Sequence, residues 1–302
     1  MLAQLGDDLF LTDGGMETWL IFDAGFELPQ FAAFTLLDDP QGVEALRRYF
    51  ESYVELARAN GVGLVLDAPT WRASSHWGEL IGYGAEQLAD VNRRAVALLD
   101  DVRRDAGGVK IVIGGCVGPS DDAYAPGEQV SADEAYTYHR PQIETFAQTP
   151  ADLVNALTLT YPAEAVGIAR AANDVGLPVA ISFTVETDGR LPGGESLADA
   201  VEQVDGEADV AYFMVNCAHP THFADVLAEG GAWRERLWGV RANASRKSHA
   251  ELDEAEELDA GDPQELAGHY PQLRERLPNL RVAGGCCGTD DRHIAAICAA
   301  LS

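Results

Sequence analysis

The segment LVNALTLTYPAEAVGIARAANDVGLPVAISF, residues 153–183, contains the repeating unit that decides the fold. Its short apolar runs Leu153–Leu157 and Val179–Phe183 are typical of buried β-strands, whereas Pro162–Val175 between them has the apolar spacing of a helix. Strands that alternate with helices in this way are βα units, which pack around a parallel sheet. The segment therefore predicts an α/β fold.

The same alternation extends in both directions along the chain. Six further runs predict strands, at Phe10–Thr12, Val62–Leu66, Lys110–Gly114, Ala211–Val215, Leu237–Val240 and Leu280–Ala283. Seven further helical patterns cover Pro40–Asn60, Gly84–Ala106, Ser131–Thr149, Ser196–Val204, His222–Leu227, Pro263–Leu277 and Asp290–Leu301. Eight strands alternating with eight helices predict a single TIM-type (β/α)8 barrel, with an open doubly wound sheet as the alternative. A length of 302 residues favours the barrel.

The composition excludes several classes of partner. With 21 Lys and Arg against 49 Asp and Glu, the net charge of −28 is too negative for a surface that binds nucleic acid or an anionic membrane. The hydrophobic content of 47% is that of a globular protein with a core. We therefore expect small-molecule partners, with no nucleic acid and no membrane.

The cysteines and the N-terminus indicate a compartment. Five cysteines, with Cys286 and Cys287 adjacent, form a poor disulfide framework. Met1–Phe10 lacks the basic and apolar regions of a signal peptide, and no apolar run reaches the ~18 residues of a membrane helix. These features predict a cytoplasmic protein in a reducing environment.

Three cysteines follow predicted strands and are the candidate chemical centre. Cys217 follows the sixth strand and Cys286-Cys287 the eighth, and the carboxyl ends of barrel strands converge on one mouth. Flanking glycines permit an irregular backbone that turns both neighbouring sulfurs inward. Three thiolates would bind Zn²⁺ and leave one tetrahedral position open, as in catalytic zinc sites. The alternative is that all three are small buried apolar residues.

Other features of the mouth allow further interpretations. His219 and His222 near Cys217 are candidate zinc ligands, a helix cap or partners of a ligand. The Gly284-Gly285 turn before the last helix would suit a phosphate, although adjacent thiols disfavour this. The acidic stretch Glu251–Asp262 is either a solvated helix and loop or a lid over the mouth.

Lysine chemistry is disfavoured by the positions of the lysines. The chain has only Lys110, which begins a predicted strand, and Lys247, which lies beyond one. A Schiff-base aldolase needs a lysine at the carboxyl end of a strand.

At these cysteines the sequence resembles the homocysteine S-methyltransferase family. The resemblance covers essentially the whole chain and is carried by Asp13-Gly14-Gly15, Val215-Asn216-Cys217 and Gly284-Gly285-Cys286-Cys287-Gly288-Thr289. It implies one homocysteine-binding barrel domain over residues 1–302. It also implies that Cys217, Cys286 and Cys287 bind Zn²⁺ and form the catalytic centre.

The resemblance further implies a reaction and substrate contacts. The reaction is transfer of a methyl group from an onium donor, such as S-methylmethionine, to the thiol of homocysteine, which forms methionine. Asp13, Gly14 and Gly15 would contact the amino-acid substrate. Asp67 and Thr70 would lie near the same mouth, together with Asn243, which the family's motif after strand seven retains.

Trp71 at the mouth is a candidate donor contact. Its ring would hold a cationic onium group by a cation–π interaction, or it is an ordinary aromatic residue of the wall.

The sequence departs from the family pattern at two positions where the family commonly has acids. Leu159 stands in one of them and Arg246 in the other. The carboxylate expected to hold the substrate amino group is therefore missing, and Glu186 after strand five is a candidate replacement. These departures leave three alternatives open: another thiol acceptor or a betaine-like donor, a non-catalytic zinc or redox-sensing barrel, and a barrel hydrolase or lyase whose metal has oxygen ligands.

Overall fold

The protein is a closed barrel of eight parallel strands in chain order, surrounded by helices, which confirms the predicted TIM-type fold. The computed structural model describes residues 2–124, 127–255 and 257–302. Within these ranges, no helix is both long enough and apolar enough to cross a membrane.

The strands are short and the helices longer. The strands are β1 Phe10–Thr12, β2 Gly63–Asp67, β3 Ile111–Val117, β4 Leu153–Leu159, β5 Val179–Phe183, β6 Tyr212–Asn216, β7 Leu237–Ala242 and β8 Val282–Gly285. The helices are α1 Met16–Phe22, α2 Pro40–Asn60, α3 Ser75–Leu80, α4 Ala85–Asp105, α5 Ala132–Phe146, α6 Pro162–Val175, α7 Leu197–Glu207, α8 Pro220–Ala228, α9 His249–Asp253, α10 Pro263–Ala267, α11 Tyr270–Arg276 and α12 Asp291–Leu301.

Two groups of helices differ from the prediction. The pattern over Pro263–Leu277 is divided into α10 and α11, because the chain turns at Gly268 and His269. In addition, α1, α3 and α9 lie in the connections that leave β1, β2 and β7 and were not predicted. These helices have five to seven residues, too few to show a helical period in the sequence.

The first strand closes the barrel. Phe10 pairs with Gly63 of β2 and with Val282 of β8, so hydrogen bonding runs unbroken around the ring. A closed ring has no strand edges. Closure also places the end of β8, which carries Cys286, beside the end of β1, which carries Asp13.

The long helices begin and end at residues that suit those positions. Asp39 caps α2 by accepting a hydrogen bond from the Gly42 amide, and Pro40 occupies the first turn. Gly61 ends the helix with φ 65°, a left-handed conformation that glycine adopts without steric cost. The apolar side of α2, including Tyr49 and Phe50, is buried against the barrel.

Apolar side chains fill the half of the barrel nearer the amino ends of the strands. Phe10, Val65, Tyr212, Met214 and Val282 are almost fully buried in one cluster inside the ring of strands. A larger cluster lies between the strands and the helices. The barrel is therefore a packed core whose only open end among the described residues lies at the carboxyl ends of the strands.

A glycine substitution tests how closely the strands pack. A Cβ at position 284 would lie 2.0 Å from Thr12 Oγ1, so we expect Gly284→Ala to lower the free energy of unfolding by about 1–3 kcal/mol through overpacking. Gly206→Ala in α7 is the control, because nothing lies within 4 Å of its Cβ position. It should raise stability by about 0.5 kcal/mol. Urea denaturation measures both; equal effects would contradict the packing described here.

Candidate active site

A cavity of about 330 Å³ opens at the carboxyl ends of the strands. Charged, aromatic and sulfur-containing side chains share its wall. They include Asp13, Glu17, Asp67, Trp71, Arg72, Trp77, Cys116, Asp122, Tyr124, Cys217, Arg241, Asp253, Cys286 and Cys287. A mouth of this type is where barrel enzymes bind their substrates.

The three predicted cysteines meet in this cavity. The sulfur atoms of Cys217, Cys286 and Cys287 all lie within 4.8 Å of one another, and Cys217 Sγ is 3.7 Å from Cys287 Sγ. Tetrahedral zinc with Zn–S bonds of about 2.3 Å places its sulfur ligands about 3.8 Å apart. The spacing and the soft donor atoms therefore fit one zinc ion.

Hydrogen bonds hold Cys217 in a strained conformation. Its φ of 56° is left-handed, which costs a residue with a Cβ of order 1–3 kcal/mol. The Cys217 amide donates to Arg241 O at 3.1 Å, while its carbonyl lies 2.8 Å from His249 Nε2 and accepts from Asn243 Nδ2 at 3.0 Å. These contacts from β7 and α9 fix the direction of the sulfur.

The turn after β8 places the other two cysteines. The Cys286 amide donates to Ala242 O at 2.8 Å, and its carbonyl accepts from the Thr289 hydroxyl at 2.7 Å. Gly288 has φ 77° and its amide donates to Thr18 Oγ1 of α1. This irregular turn lets both neighbouring sulfurs face the cavity, as the flanking glycines predict.

Asn216 connects three strands directly below the cysteines. Its Oδ1 accepts from the Thr158 amide at 2.8 Å and from Ser182 Oγ at 2.6 Å, and its Nδ2 donates to Thr158 Oγ1 at 2.8 Å. Thr158 has φ 63° and lies in an irregularity of β4. As a result Thr158 lines the cavity, whereas Leu159 is fully buried in the core.

A buried arginine crosses the cavity floor. Arg241 of β7 donates to Asp13 Oδ1 at 2.5 Å and also to Asp67. Asp67 accepts a further bond from Asn155 Nδ2 at 2.9 Å, and Asp13 one from Tyr49 at 3.3 Å. Both carboxylates that were predicted to contact substrate are therefore paired within the protein.

These ion pairs have shifted pKa values. Burial raises the pKa of Asp13 to about 7, although Arg241 opposes the rise. Burial also raises the pKa of Asp67, against the same opposing charge. For Arg241, burial acts to lower the pKa, but the two carboxylates hold it above its ordinary value. The two carboxylates therefore favour the charged form of the arginine.

Glu17 and Arg72 are two of the charged wall residues to which the sequence assigned no role. Glu17 lies in the first turn of α1, and burial raises its pKa to about 7. The Arg72 guanidinium lies 3.3 Å from the Trp77 ring centre and 4.5 Å from that of Trp71, and burial lowers its pKa to about 10. The Trp71 ring, predicted to hold a cationic donor, therefore already contacts a cation of the chain. Glu17 lies two residues after the Asp13-Gly14-Gly15 motif, and this proximity was the available signal.

Tyr124 lies against the sulfur cluster. Its hydroxyl is 2.9 Å from Cys217 Sγ and 3.6 Å from Cys287 Sγ. Its ring stacks on His249 with centres 4.2 Å apart, and His249 Nδ1 lies 2.9 Å from Glu186. No sequence pattern indicated Tyr124, because it lies seven residues beyond β3. Glu186 contacts this histidine and is not a residue of the cavity wall.

Hydrogen bonds among the three sulfur atoms shift the pKa values of the thiols in opposite directions. Bonds from Cys217 and Cys287 lower the pKa of the Cys286 thiol, because they stabilise its thiolate. The bond with Cys286, together with burial, raises the pKa of Cys217. The hydrogen bonds thus favour the thiolate form of Cys286 over that of Cys217.

The remaining predicted residues divide into two groups. Gly14, Gly15 and Trp71 line the cavity with Asp13 and Asp67. Thr70 and Asn243 do not; Thr70 donates to Cys116 O at 2.8 Å, and Asn243 bonds the Cys217 carbonyl. Both therefore lie behind the cavity wall, where their side chains hydrogen-bond to backbone carbonyl groups.

His219 and the acidic stretch also have defined places. His219 Nδ1 accepts from the Thr221 amide at 3.3 Å and so caps α8, which is one of the expected roles. In the acidic stretch Glu251–Asp262, Asp253 lines the cavity and Asp259 accepts from the Ser245 hydroxyl at 2.6 Å. Residue 256 of this stretch lies outside the described residues.

Comparisons with known proteins identify similar sequences and a similar fold. A family model described as homocysteine S-methyltransferase matches residues 10–301. The chain is 22% identical to homocysteine S-methyltransferase 1 of Brassica oleracea var. italica, over 95% of this chain and 91% of that one. It is 27% identical to homocysteine S-methyltransferase of Escherichia coli K12, over 62% of each.

A solved structure has the same fold. It is the metallated form of the homocysteine methyltransferase MmuM from Escherichia coli. The TM-score is 0.76 at 23% identity, and the match covers 97% of this chain and 96% of that one.

The buried ion pairs yield a pH-dependent prediction. Arg241→Met leaves two carboxylates unpaired, so the free energy of unfolding should fall by about 3–5 kcal/mol at pH 8. Both carboxyls then have pKa values further above the ~3.9 of the unfolded chain, so the folded state binds more protons. The deficit should therefore shrink as the pH falls from 8 towards about 5.

Urea denaturation at both pH values measures this change. Arg140→Met, on the exposed side of α5, is the control and should change stability by less than about 0.5 kcal/mol at either pH. A deficit that stays constant or grows on acidification would show that the carboxylates are not the cause.

Proposed function

Since the chain belongs to the homocysteine S-methyltransferase family of methyltransferases, we propose that it transfers a methyl group from an S-methylmethionine-like onium donor to the thiol of homocysteine. Zn²⁺ bound by Cys217, Cys286 and Cys287 is the proposed cofactor. The observation that carries the proposal is the meeting of three sulfur atoms at zinc-like spacing on the wall of an open cavity.

The donor set supports zinc as the resident ion. Three cysteines on an open cavity wall give the three-ligand arrangement of a catalytic site. When bound, zinc would lower the pKa of a substrate thiol that occupies its fourth position. The metallated form of MmuM, with the same fold, is consistent with a metal here.

The protein's own residues align the reaction. Methyl transfer to sulfur is an in-line displacement, so rate depends on holding the two substrates in register. Asn243 and His249 contact the Cys217 carbonyl, and the turn at Gly288 positions the other two cysteines. Asp13 and Asp67, paired with Arg241, form the floor of the cavity.

Glu17 is the proposed contact for the substrate amino group. Leu159 is buried where the family commonly has an acid, and Asp13 and Asp67 are committed to Arg241. Glu17 lines the same cavity, and no ion pair involves it among the described residues. Its pKa of about 7 gives a carboxylate that an incoming ammonium group would ionise fully.

A thiol other than homocysteine is a second candidate for the methyl acceptor. The buried Leu159 and the committed aspartates alter the region where an amino group is expected. A related thiol in place of homocysteine would retain the zinc chemistry. A non-catalytic zinc barrel is disfavoured, because the cysteines line an open cavity.

The proposal also includes a single domain and a cytoplasmic location. We place one homocysteine-binding barrel domain over residues 1–302, since the strand and helix alternation spans this range. Three thiols free for metal binding are maintained in a reducing compartment, which supports a cytoplasmic location.

One assay tests the reaction itself. Reduced, zinc-loaded protein is offered homocysteine, or a panel of other thiols, with S-methylmethionine and betaine as alternative donors, and products are identified by mass. We expect methionine from homocysteine and S-methylmethionine. Absence of methyl transfer to any thiol from any of these donors would reject the proposed function.

The ligand assignment predicts loss of zinc with any one cysteine. Cys217→Ala, Cys286→Ala and Cys287→Ala should each strongly lower the zinc content after dialysis and abolish methyl transfer, because loss of one of three ligands weakens binding by more than the ~10–100-fold that loss of an outer-shell partner costs. Cys298→Ala is the control, because Cys298 is buried in α12 away from the cavity. Metal analysis measures the outcome; full zinc content in Cys217→Ala would refute the assignment.

The role of Glu17 predicts a defined kinetic change. Glu17→Gln should raise KM for homocysteine by about tenfold, the equivalent of roughly 1.4 kcal/mol, with little change in kcat. The exposed Glu79→Gln in α3 is the control and should leave KM unchanged. A lower kcat at constant KM would place Glu17 in the chemical step and contradict the proposed contact.

A further inference from the structure

A second cluster of metal-binding side chains lies outside the cavity. It consists of His219, between β6 and α8, Glu265 in α10, and His269, which follows α10. One ligand atom from each lies within 4.8 Å of the other two. None of these three residues lines the cavity that contains the cysteines.

One ring nitrogen of His219 faces this cluster and has no hydrogen-bond partner among the described residues. The residue is fully buried, and its Nδ1 lies 2.8 Å from the Thr221 hydroxyl. Its Nε2 has no hydrogen-bond partner among the described residues and lies 3.6 Å from Glu265 Oε2, too far for a hydrogen bond. A buried polar atom without a partner costs about 1–3 kcal/mol, so its orientation towards a carboxylate and a second imidazole requires an explanation.

The other two residues supply partly accessible donors. His269 Nε2 lies 2.9 Å from Glu265 Oε1, and the same carboxylate contacts the exposed side chain of Arg246. The rings of His219 and His269 are 5.2 Å apart and nearly perpendicular, so they meet edge to face and do not stack. The neighbouring His222 is already engaged, since its Nε2 lies 3.0 Å from Arg246 O.

We propose that His219, Glu265 and His269 form a second divalent metal site, separate from the cysteine site. Two imidazoles and one carboxylate are ligands that zinc and related transition metals accept. Bonds of about 2.1 Å place neighbouring ligand atoms roughly 3.0–3.4 Å apart. The distances of 2.9 Å and 3.6 Å within the cluster bracket this range.

The Thr221 contact prepares His219 for this role. Metal binding at Nε2 requires the tautomer in which Nδ1 donates its proton to the Thr221 hydroxyl at 2.8 Å, in place of accepting from the Thr221 amide at 3.3 Å. The ion would join the loop after β6 to the connection between β7 and β8, which also contains the acidic stretch. Its role is therefore structural: it pins that connection beside the strand that bears Cys217.

Metal stoichiometry tests the site without relying on methyl transfer. We expect two zinc ions per wild-type chain and one in His269→Ala and in Glu265→Gln, since both residues are partly exposed and tolerate substitution. The exposed His76→Ala is the matched control and should retain two. A zinc content that stays at the wild-type value in both site variants would overturn the proposal.

Cobalt(II) distinguishes the two sites by their donor atoms. The cysteine site should give an intense near-ultraviolet band from thiolate ligands, whereas the second equivalent should add only weak visible absorption. A second equivalent that increases the thiolate band would place the ion on sulfur and overturn the proposal. Loss of the thiolate band in Cys217→Ala, with the weak visible band retained, would support two independent sites and leave the methyltransferase proposal to its own assays.

Substitution of Arg246 is expected to strengthen metal binding at the second site. Its guanidinium competes with a cation for Glu265, and a unit charge about 4 Å away opposes binding even in water. Arg246→Gln should therefore tighten cobalt binding at the second site by about fivefold or more. Unchanged or weaker binding would contradict an ion at Glu265.

Discussion

Closure of the parallel sheet is the constraint on which the site depends. Because β1 pairs with both β2 and β8, the end of β8 is fixed beside the end of β1, and the carboxyl ends of all eight strands meet at one mouth. Residues as distant in sequence as Asp13 and Cys286 thereby line one cavity. The backbone hydrogen-bond ladder sets this proximity, and bonds between side chains, such as that from Arg241 to Asp13, form within it.

Within that frame, strain and charge are concentrated at the mouth. Cys217 and Thr158 have left-handed backbones, and Asn216 and Asn243 hold them in place. Arg241 lies buried between two carboxylates. The free-energy cost of removing these charges from water is offset only when the ion pairs are close and hydrogen-bonded. Such features destabilise the fold locally, and they occur where a rigid arrangement of sulfur atoms is required.

The acidic composition has a mostly external origin. Many Asp and Glu side chains lie on the outer helices, where some pair with arginine, as Asp205 does with Arg236 and Glu207 with Arg170. Exposed pairs of this kind contribute little to stability. Among the described residues of the mouth the acids also outnumber the arginines, with five Asp and Glu against Arg72 and Arg241. Two of these acids, Asp13 and Asp67, are paired with the buried Arg241, so the net charge of the chain does not by itself give the charge that a substrate meets.

The sequence by itself determined the barrel, the order of its strands and the three cysteines at its mouth. Period and spacing are local properties, and the carboxyl ends of strands converge in any closed parallel barrel. Only the tertiary structure decided which side chains meet there. It paired Asp13 and Asp67 with Arg241, moved Thr70 and Asn243 behind the wall, and brought in Glu17, Arg72 and Tyr124. Side-chain pairing across a barrel depends on strand register and on irregular backbone, as at Thr158 and Cys217. Neither register nor such irregularities produce a periodic pattern in the sequence.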